Sequence, residues 1–251
     1  MSNVKESRVA IVTGAASGLG KCIGRALHAA GYRVAFTDRD AQAAASVAAE
    51  FDPSGETAMG LALDVVSKAD FEAAVQRIVA RWGTLHVAVN NAAITLTTPV
   101  MQISPEEFED VLRINLRGTF LGCQVFGAAM RSTGHGRLIN VASLAGQNGG
   151  TASGAHYASS KAGILTLTKI FARELAGDGV TVNAIAPGPL ELPSVHAAVP
   201  PEKLSRLVEM IPVRHLGDPD FVASLVVHLA SPEAGFATGA AWDVNGGIFM
   251  R

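Results

Sequence analysis

Seven short apolar runs, each set off by a stretch long enough to be a helix, constrain this 251-residue chain more than any other feature. The strand-like runs are residues 8–13, 33–37, 58–63, 85–89, 136–141, 180–186 and 240–244. Between them lie helix-like stretches at 18–30, 40–50, 69–82, 155–176 and 221–229, and a long helix opened by Ser104-Pro105-Glu106-Glu107, a capping box with proline in the first turn. Strands joined by helices of this length must run parallel with right-handed crossovers. Burial on both faces then explains why the runs are apolar throughout instead of alternating. The pattern therefore predicts an α/β fold, a doubly wound, mainly parallel seven-stranded sheet with helices on both faces, in one domain spanning 1–251.

Composition narrows the function. With 49% hydrophobic and 17% charged residues the chain can bury a large core and does not resemble a disordered one. A net charge of −2 with scattered Lys and Arg excludes the clustered positive face that nucleic acid requires, leaving a small-molecule partner. Residues 1–8 carry charges where a signal peptide has its apolar core, and no run approaches bilayer-spanning length, so a cytoplasmic protein without membrane contact is expected. Cys22 and Cys123 lie far apart in predicted helices, and the seven histidines form no pair at ligand spacing, so no metal is expected.

In doubly wound, Rossmann-like sheets ligands bind outside the carboxyl ends of the strands, which directs attention to the residues that follow each strand. Thr13-Gly14-Ala15-Ala16-Ser17-Gly18-Leu19-Gly20 joins the first strand directly to the first helix. Small residues there allow a tight turn, and the free N–H groups of a helix N-terminus favour an anion, which makes Gly14, Ser17, Gly18, Leu19 and Gly20 candidates for holding a dinucleotide pyrophosphate. Asp38 closes the second strand, ~20 residues on, from where a carboxylate reaches the adenosine ribose hydroxyls. It would repel the 2′-phosphate of NADP, so NAD is the expected cofactor, although the neighbouring Arg39 could turn inward.

Tyr157 and Lys161, four residues apart in a helix, share one face. A nearby ammonium favours an ionised phenol, so Lys161 is expected to bring Tyr157 into range as a general acid or base. Ser143 follows the fifth strand, fourteen residues before Tyr157, and could hydrogen-bond a reacting oxygen. Asn115 is a polar residue amid an apolar helical stripe.

Together these motifs resemble the short-chain dehydrogenase/reductase family, in its single-domain branch of about this length. The T-G-x-x-x-G-x-G loop at 13–20, Asn90-Asn91-Ala92-Ala93 for the family's N-N-A-G, Tyr157-x-x-x-Lys161, and Pro187-Gly188 carry the likeness, and 239–247 extends it to the carboxyl end. The resemblance implies that Asp64 and Val65 border the adenine. It places Asn91, Ala92, Pro187 and Gly188, with Tyr157 and Lys161, on the cofactor, and makes Asn115, Ser143, Tyr157 and Lys161 a catalytic tetrad. Asn115 would support a water leading from Lys161 to solvent. Leu192 stands where many relatives carry a Thr that bonds the carboxamide. A homo-oligomer, tetramer favoured, is also implied.

The implied activity is hydride transfer between NAD(H) and a secondary alcohol, polyol or ketone. A 3-oxoacyl thioester reductase, usually needing NADPH and a basic patch, is one alternative. A non-catalytic nucleotide-binding regulatory protein is another, and a sugar-nucleotide epimerase a third. Residues 188–215 are expected to cover the substrate, with 191–203 as an irregular loop containing Pro193, Pro200 and Pro201. Glu191, His196, Gln147, Asn148 and His156 are candidate polar contacts to substrate.

Overall fold

In the computed structural model, which describes residues 8–150, 154–198 and 201–251, the apolar runs become strands of a single sheet. Residues 1–7, read above for a signal peptide, and Pro200 lie outside the described residues. The chain runs β1 (Val9–Thr13), α1 (Gly18–Ala29), β2 (Arg33–Asp38), α2 (Ala41–Phe51), β3 (Ala58–Ala62), α3 (Lys68–Trp82) and β4 (Val87–Asn90). It continues through α4 (Pro105–Val111), a π-helical turn (Leu112–Arg117), α5 (Gly118–Arg131), β5 (Gly136–Val141), α6 (Ala145–Asn148), α7 (Ala155–Leu175) and β6 (Val180–Pro187). Last come α8 (Pro193–Ala198), α9 (Pro201–Met210), α10 (Pro219–Ala230) and β7 (Ala241–Val244).

The sheet has seven strands in the order β3-β2-β1-β4-β5-β6-β7, and every pairing is parallel. One layer packs Ile23, Leu27, Phe36, Val222 and Val226 between α1, α10 and the sheet. The opposite layer packs Phe71, Ile78, Phe126 and Met130 under α3 and α5, with the Phe71 and Phe126 rings edge to face at 5.3 Å. Because both faces are covered, β1, β4, β5 and β6 are buried along their whole lengths. The chain leaves β1 toward β2 on one side, while β4 pairs on the other. That reversal opens a crevice at the carboxyl ends of β1 and β4.

Local chemistry explains the helix ends. Asp40 accepts from the Gln42 and Ala43 amides at the start of α2, Ser67 from Asp70 at α3, and Asp218 from Asp220 at α10. Gly83, at φ +84°, terminates α3 in the left-handed region. Two expectations need correction. The helix opened by Ser104 is not continuous α-helix: it is interrupted at Leu112–Arg117 by the π turn, which places Asn115 at its centre. Within 191–203, the described residues 193–198 and 201–203 are helical, with Pro193 and Pro201 each opening a helix. Proline at the first helical position gives up an N–H that would have no partner there anyway. Among the described residues, no helix is long and apolar enough to cross a membrane.

Candidate active site

The glycine turn is fastened to the end of β4. Thr13 Oγ1 accepts from the Asn91 and Ala92 amides at 3.0 and 3.1 Å, and Asn91 Nδ2 donates to the Thr13 and Gly14 carbonyls at 2.9 and 3.1 Å. Gly14 sits at φ +62°, and a Cβ there would lie 2.8 Å from Ala92 Cα. At Gly20 a Cβ would overlap the Gly14 carbonyl oxygen and the Asn91 amide. Gly18, at φ +53°, faces open space. Ser17 is the N-cap of α1 but makes no side-chain cap, so the first amides of that helix are left for another acceptor. Leu19 turns its side chain into the core, leaving its backbone for the site. A close-approach turn with free donors at a helix N-terminus fits a pyrophosphate.

Asp38 closes β2 beside this turn, its Oδ2 3.4 Å from the Ala16 amide and its Oδ1 accepting from Asp40 N, while Arg39 is exposed. Asp64 is exposed past β3 and accepts from the Val66 amide at 3.1 Å. Val65 is buried against Gly118. At the far side, Gly188 follows β6 and donates to the Val244 carbonyl, and a Cβ on it would be 2.9 Å from Asn245 Cα. The Pro187 carbonyl accepts from the Leu144 amide, which links this turn to the residue after Ser143. Leu192 packs its side chain against the core instead of offering a polar contact.

Between these two flanks the reacting groups converge. Ser143 and Thr95 act on the Tyr157 phenol as side-chain hydrogen-bonding partners. Ser143 Oγ also accepts from the Ala145 amide at 3.1 Å. Lys161 is 2% exposed and donates to the Val141 carbonyl at 2.7 Å, with its nitrogen 5.5 Å from the Tyr157 ring centre. Burial pulls the Lys161 amine down to about 8. Burial also pushes the Tyr157 phenol above its ordinary value, against the opposing pull of Ser143 and Thr95. Sequence reasoning expected Lys161 to draw the phenol down. Here burial is the largest influence on the phenol, and the Lys161 amine spends its hydrogen bond on the Val141 carbonyl.

Asn115 is fully buried, and its amide is consumed by neighbours. Oδ1 accepts from the Ile94 amide at 2.8 Å, and Nδ2 donates to the Ile94 carbonyl at 2.9 Å and to Ser160 Oγ at 3.1 Å. It thus clamps the loop after β4, where Thr95 follows.

The candidate substrate contacts separate. His156 is fully buried, with Nε2 2.7 Å from Glu107 Oε1 and Nδ1 accepting from the Tyr157 amide at 2.8 Å. Ser104 caps Glu107 N as the capping box predicts, but the Glu107 side chain goes to His156, not back to Ser104. Gln147 donates to Asp243 on β7, Glu191 pairs with His196 at the surface, and Asn148 is exposed. Thr95 and Glu107 were missed as functional candidates, since each gains its place through tertiary contacts that no local motif announces.

Comparison with known proteins agrees with this geometry over nearly the whole chain. A short-chain-dehydrogenase family model described as enoyl-(acyl carrier protein) reductase matches residues 14–249. The chain is 40% identical over 251 residues to the acetoacetyl-CoA reductase of Shinella zoogloeoides, covering 97% of this chain and 99% of that protein. It is 38% identical over 245 residues to the 3-oxoacyl-(acyl-carrier-protein) reductase FabG of Vibrio cholerae, covering 98% of each. The FabG of Escherichia coli is 36% identical over 247 residues, again covering 98% of each.

Proposed function

This chain belongs to the short-chain dehydrogenase/reductase family of oxidoreductases, which bind a nicotinamide nucleotide, and we propose that it interconverts a ketone and a secondary alcohol or polyol using NAD(H). The observation that carries this reading is the buried Lys161 amine over the Tyr157 ring at 5.5 Å, anchored to the Val141 carbonyl at the end of β5, with Ser143 acting on the phenol.

The cradle of Gly14, Ser17, Gly18, Leu19 and Gly20 would take the pyrophosphate, Asp38 the adenosine ribose, and Asp64 and Val65 the adenine edge. Asn91, Ala92, Pro187 and Gly188 would flank the nicotinamide half. Once bound, the nicotinamide supplies or accepts the hydride. The remaining work belongs to the chain. Tyr157 gives its proton to the carbonyl oxygen in reduction and takes it back in oxidation, and Ser143 donates a hydrogen bond to the same oxygen. A phenol held above its ordinary value is protonated at neutral pH, the state reduction needs. Lys161 steadies the developing phenolate and holds the nicotinamide ribose. Asn115 keeps Ile94 in place, and with it Thr95 against the phenol.

Asp38 supports NAD over NADP through repulsion of a 2′-phosphate. A second reading is favoured by the names of the relatives: the ketone is a 3-oxoacyl thioester. The exposed Ile170 and the Phe120–Phe171 ring pair, 5.9 Å apart on α5 and α7, support a homo-oligomer, read here as a tetramer working in the cytoplasm. Initial rates of NADH and NADPH oxidation over simple ketones, keto-polyols and 3-oxoacyl thioesters test both substrate readings. Preference for thioesters by two orders of magnitude or more selects the second, and preference for NADPH removes the assignment of Asp38.

A further inference from the structure

One buried titratable side chain next to the acid/base residue in sequence has no part in the chemistry above. His156 is fully enclosed, one residue before Tyr157, in the first turn of α7. The N-cap of that helix is Gly154, which has no side chain with which to accept the unpaired amides of the first turn. The imidazole fills that need from inside the helix, its Nδ1 accepting from the Tyr157 amide at 2.8 Å. A nitrogen that accepts from N–H carries no proton, so in this tautomer the proton sits on Nε2, facing Glu107 Oε1 at 2.7 Å. Glu107 belongs to the first turn of α4, the segment that runs on through the π turn to Asn115. The Glu107 carboxyl is held below its usual range by hydrogen bonds from Thr98 and His156, so it is an ionised acceptor.

The ring is fully enclosed, and at the start of α7 the fit is close. A Cβ on Gly154 would collide with His156 Cε1, so only glycine leaves room for the ring at that position. The Gly154 amide in turn donates to the Leu96 carbonyl at 2.8 Å, in the loop that presents Thr95 to the phenol.

The geometry points to Glu107 and His156 as a brace that sets the position of Tyr157: the carboxylate fixes the imidazole tautomer, and the imidazole fixes the backbone amide of the acid/base residue. His156 and Glu107 are positioning residues, because they touch neither substrate nor cofactor. Their catalytic importance rests on the reading of Tyr157 given above. The brace itself does not, and it is testable without turnover.

Only two tyrosines occur in the chain, and Tyr32 is tied to the Ala230 carbonyl in the opposite layer. Full-length protein labelled with 13C at tyrosine Cζ therefore gives two resonances, and Tyr157→Phe identifies which belongs to Tyr157. His156→Ala removes the brace, and His156→Asn places an amide oxygen near the former Nδ1, able to accept from the Tyr157 amide. Glu107→Gln keeps an acceptor for the Nε2 proton, whereas Glu107→Ala does not. The expected result is that His156→Ala and Glu107→Ala move the Tyr157 resonance and raise its titration midpoint while Tyr32 stays fixed. His156→Asn and Glu107→Gln should return it toward wild type. In parallel, kcat for carbonyl reduction should fall roughly tenfold or more in the alanine variants with KM for NADH unchanged, as expected for a displaced catalytic group.

An unmoved Tyr157 resonance and unchanged kcat in both alanine variants would overturn the brace, as would a failure of both conservative variants to restore the signal. If His156→Ala loses the Tyr32 signal as well, the fold has been damaged and the Glu107 pair decides. A wild-type protein that reduces no carbonyl in the panel would instead defeat the proposed function, while the resonance shifts would still decide the brace.

Discussion

Replacing Asn115 with Ala removes three hydrogen bonds at a fully buried position, to Ile94 N at 2.8 Å, Ile94 O at 2.9 Å and Ser160 Oγ at 3.1 Å. The Ile94 amide and carbonyl would be left without these partners in a half-buried loop. Each would lose about 1 kcal/mol, toward the low end of the range for an unpaired group because water can partly reach it. Ser160 keeps its bond to the Tyr157 carbonyl at 2.7 Å, so its loss is smaller. The void left by the deleted amide adds about 1 kcal/mol, for a total near 3 kcal/mol. In a chain of this size that lowers the unfolding midpoint by about 6–12 °C. Urea unfolding followed by far-UV circular dichroism should show a reduced midpoint with an unchanged slope. Asn115→Asp, which keeps one acceptor but sets a carboxylate against the Ile94 carbonyl, should be no better. A loss below about 0.5 kcal/mol in the alanine variant would refute the claim that this amide clamps the loop.

Further outcomes follow from the same geometry. Lys161→Met should abolish turnover yet raise stability at pH 7 by about 2 kcal/mol, because the buried amine resists charging more than the lost bond to Val141 is worth. Since the folded amine titrates at about 8 against 10.5 unfolded, wild-type stability is penalised fully below pH 8 and recovers as pH rises to 10.5. The gap between mutant and wild-type urea midpoints should shrink over that window, and a gap that stays constant would contradict it. Gly20→Ala should weaken NADH binding more than tenfold by calorimetry, since its methyl overlaps the Gly14 carbonyl, and retained affinity would remove the turn as the pyrophosphate cradle. Asp38→Ser should move the NAD/NADP ratio of kcat/KM at least tenfold toward NADP, and an unmoved ratio would discount the carboxylate as selector.

The strand rhythm and glycine turn were legible because both are local: β-branched runs, and small residues at a strand-to-helix junction. The spacing of Tyr157 and Lys161 was legible for the same reason, but their protonation was not. Burial is a property of the packed molecule, and Lys161 titrates low because β5 and α7 enclose it. Asn115 stood out as a polar residue in an apolar stripe, yet nothing in Leu112–Arg117 announces a π turn, which arises when a helix must present one extra residue inward. The spacing reads Glu107 as a capping partner for Ser104, and only the fold shows a competing donor at His156. The prolines at 193 and 201 looked like breakers because proline in the first turn of a helix and proline in a loop are indistinguishable without the neighbouring backbone.

The most direct test of the central claim is carbonyl reduction by Tyr157→Phe, measured beside wild type with NADH binding determined on the same samples. The account predicts that kcat falls by roughly 10²-fold or more while NADH affinity falls far less, because proton transfer is lost with the phenol's oxygen while the glycine turn, Asp38 and Lys161 still hold the dinucleotide. Undiminished turnover in that variant would contradict the assignment of Tyr157 as the acid and with it the proposed chemistry of the site.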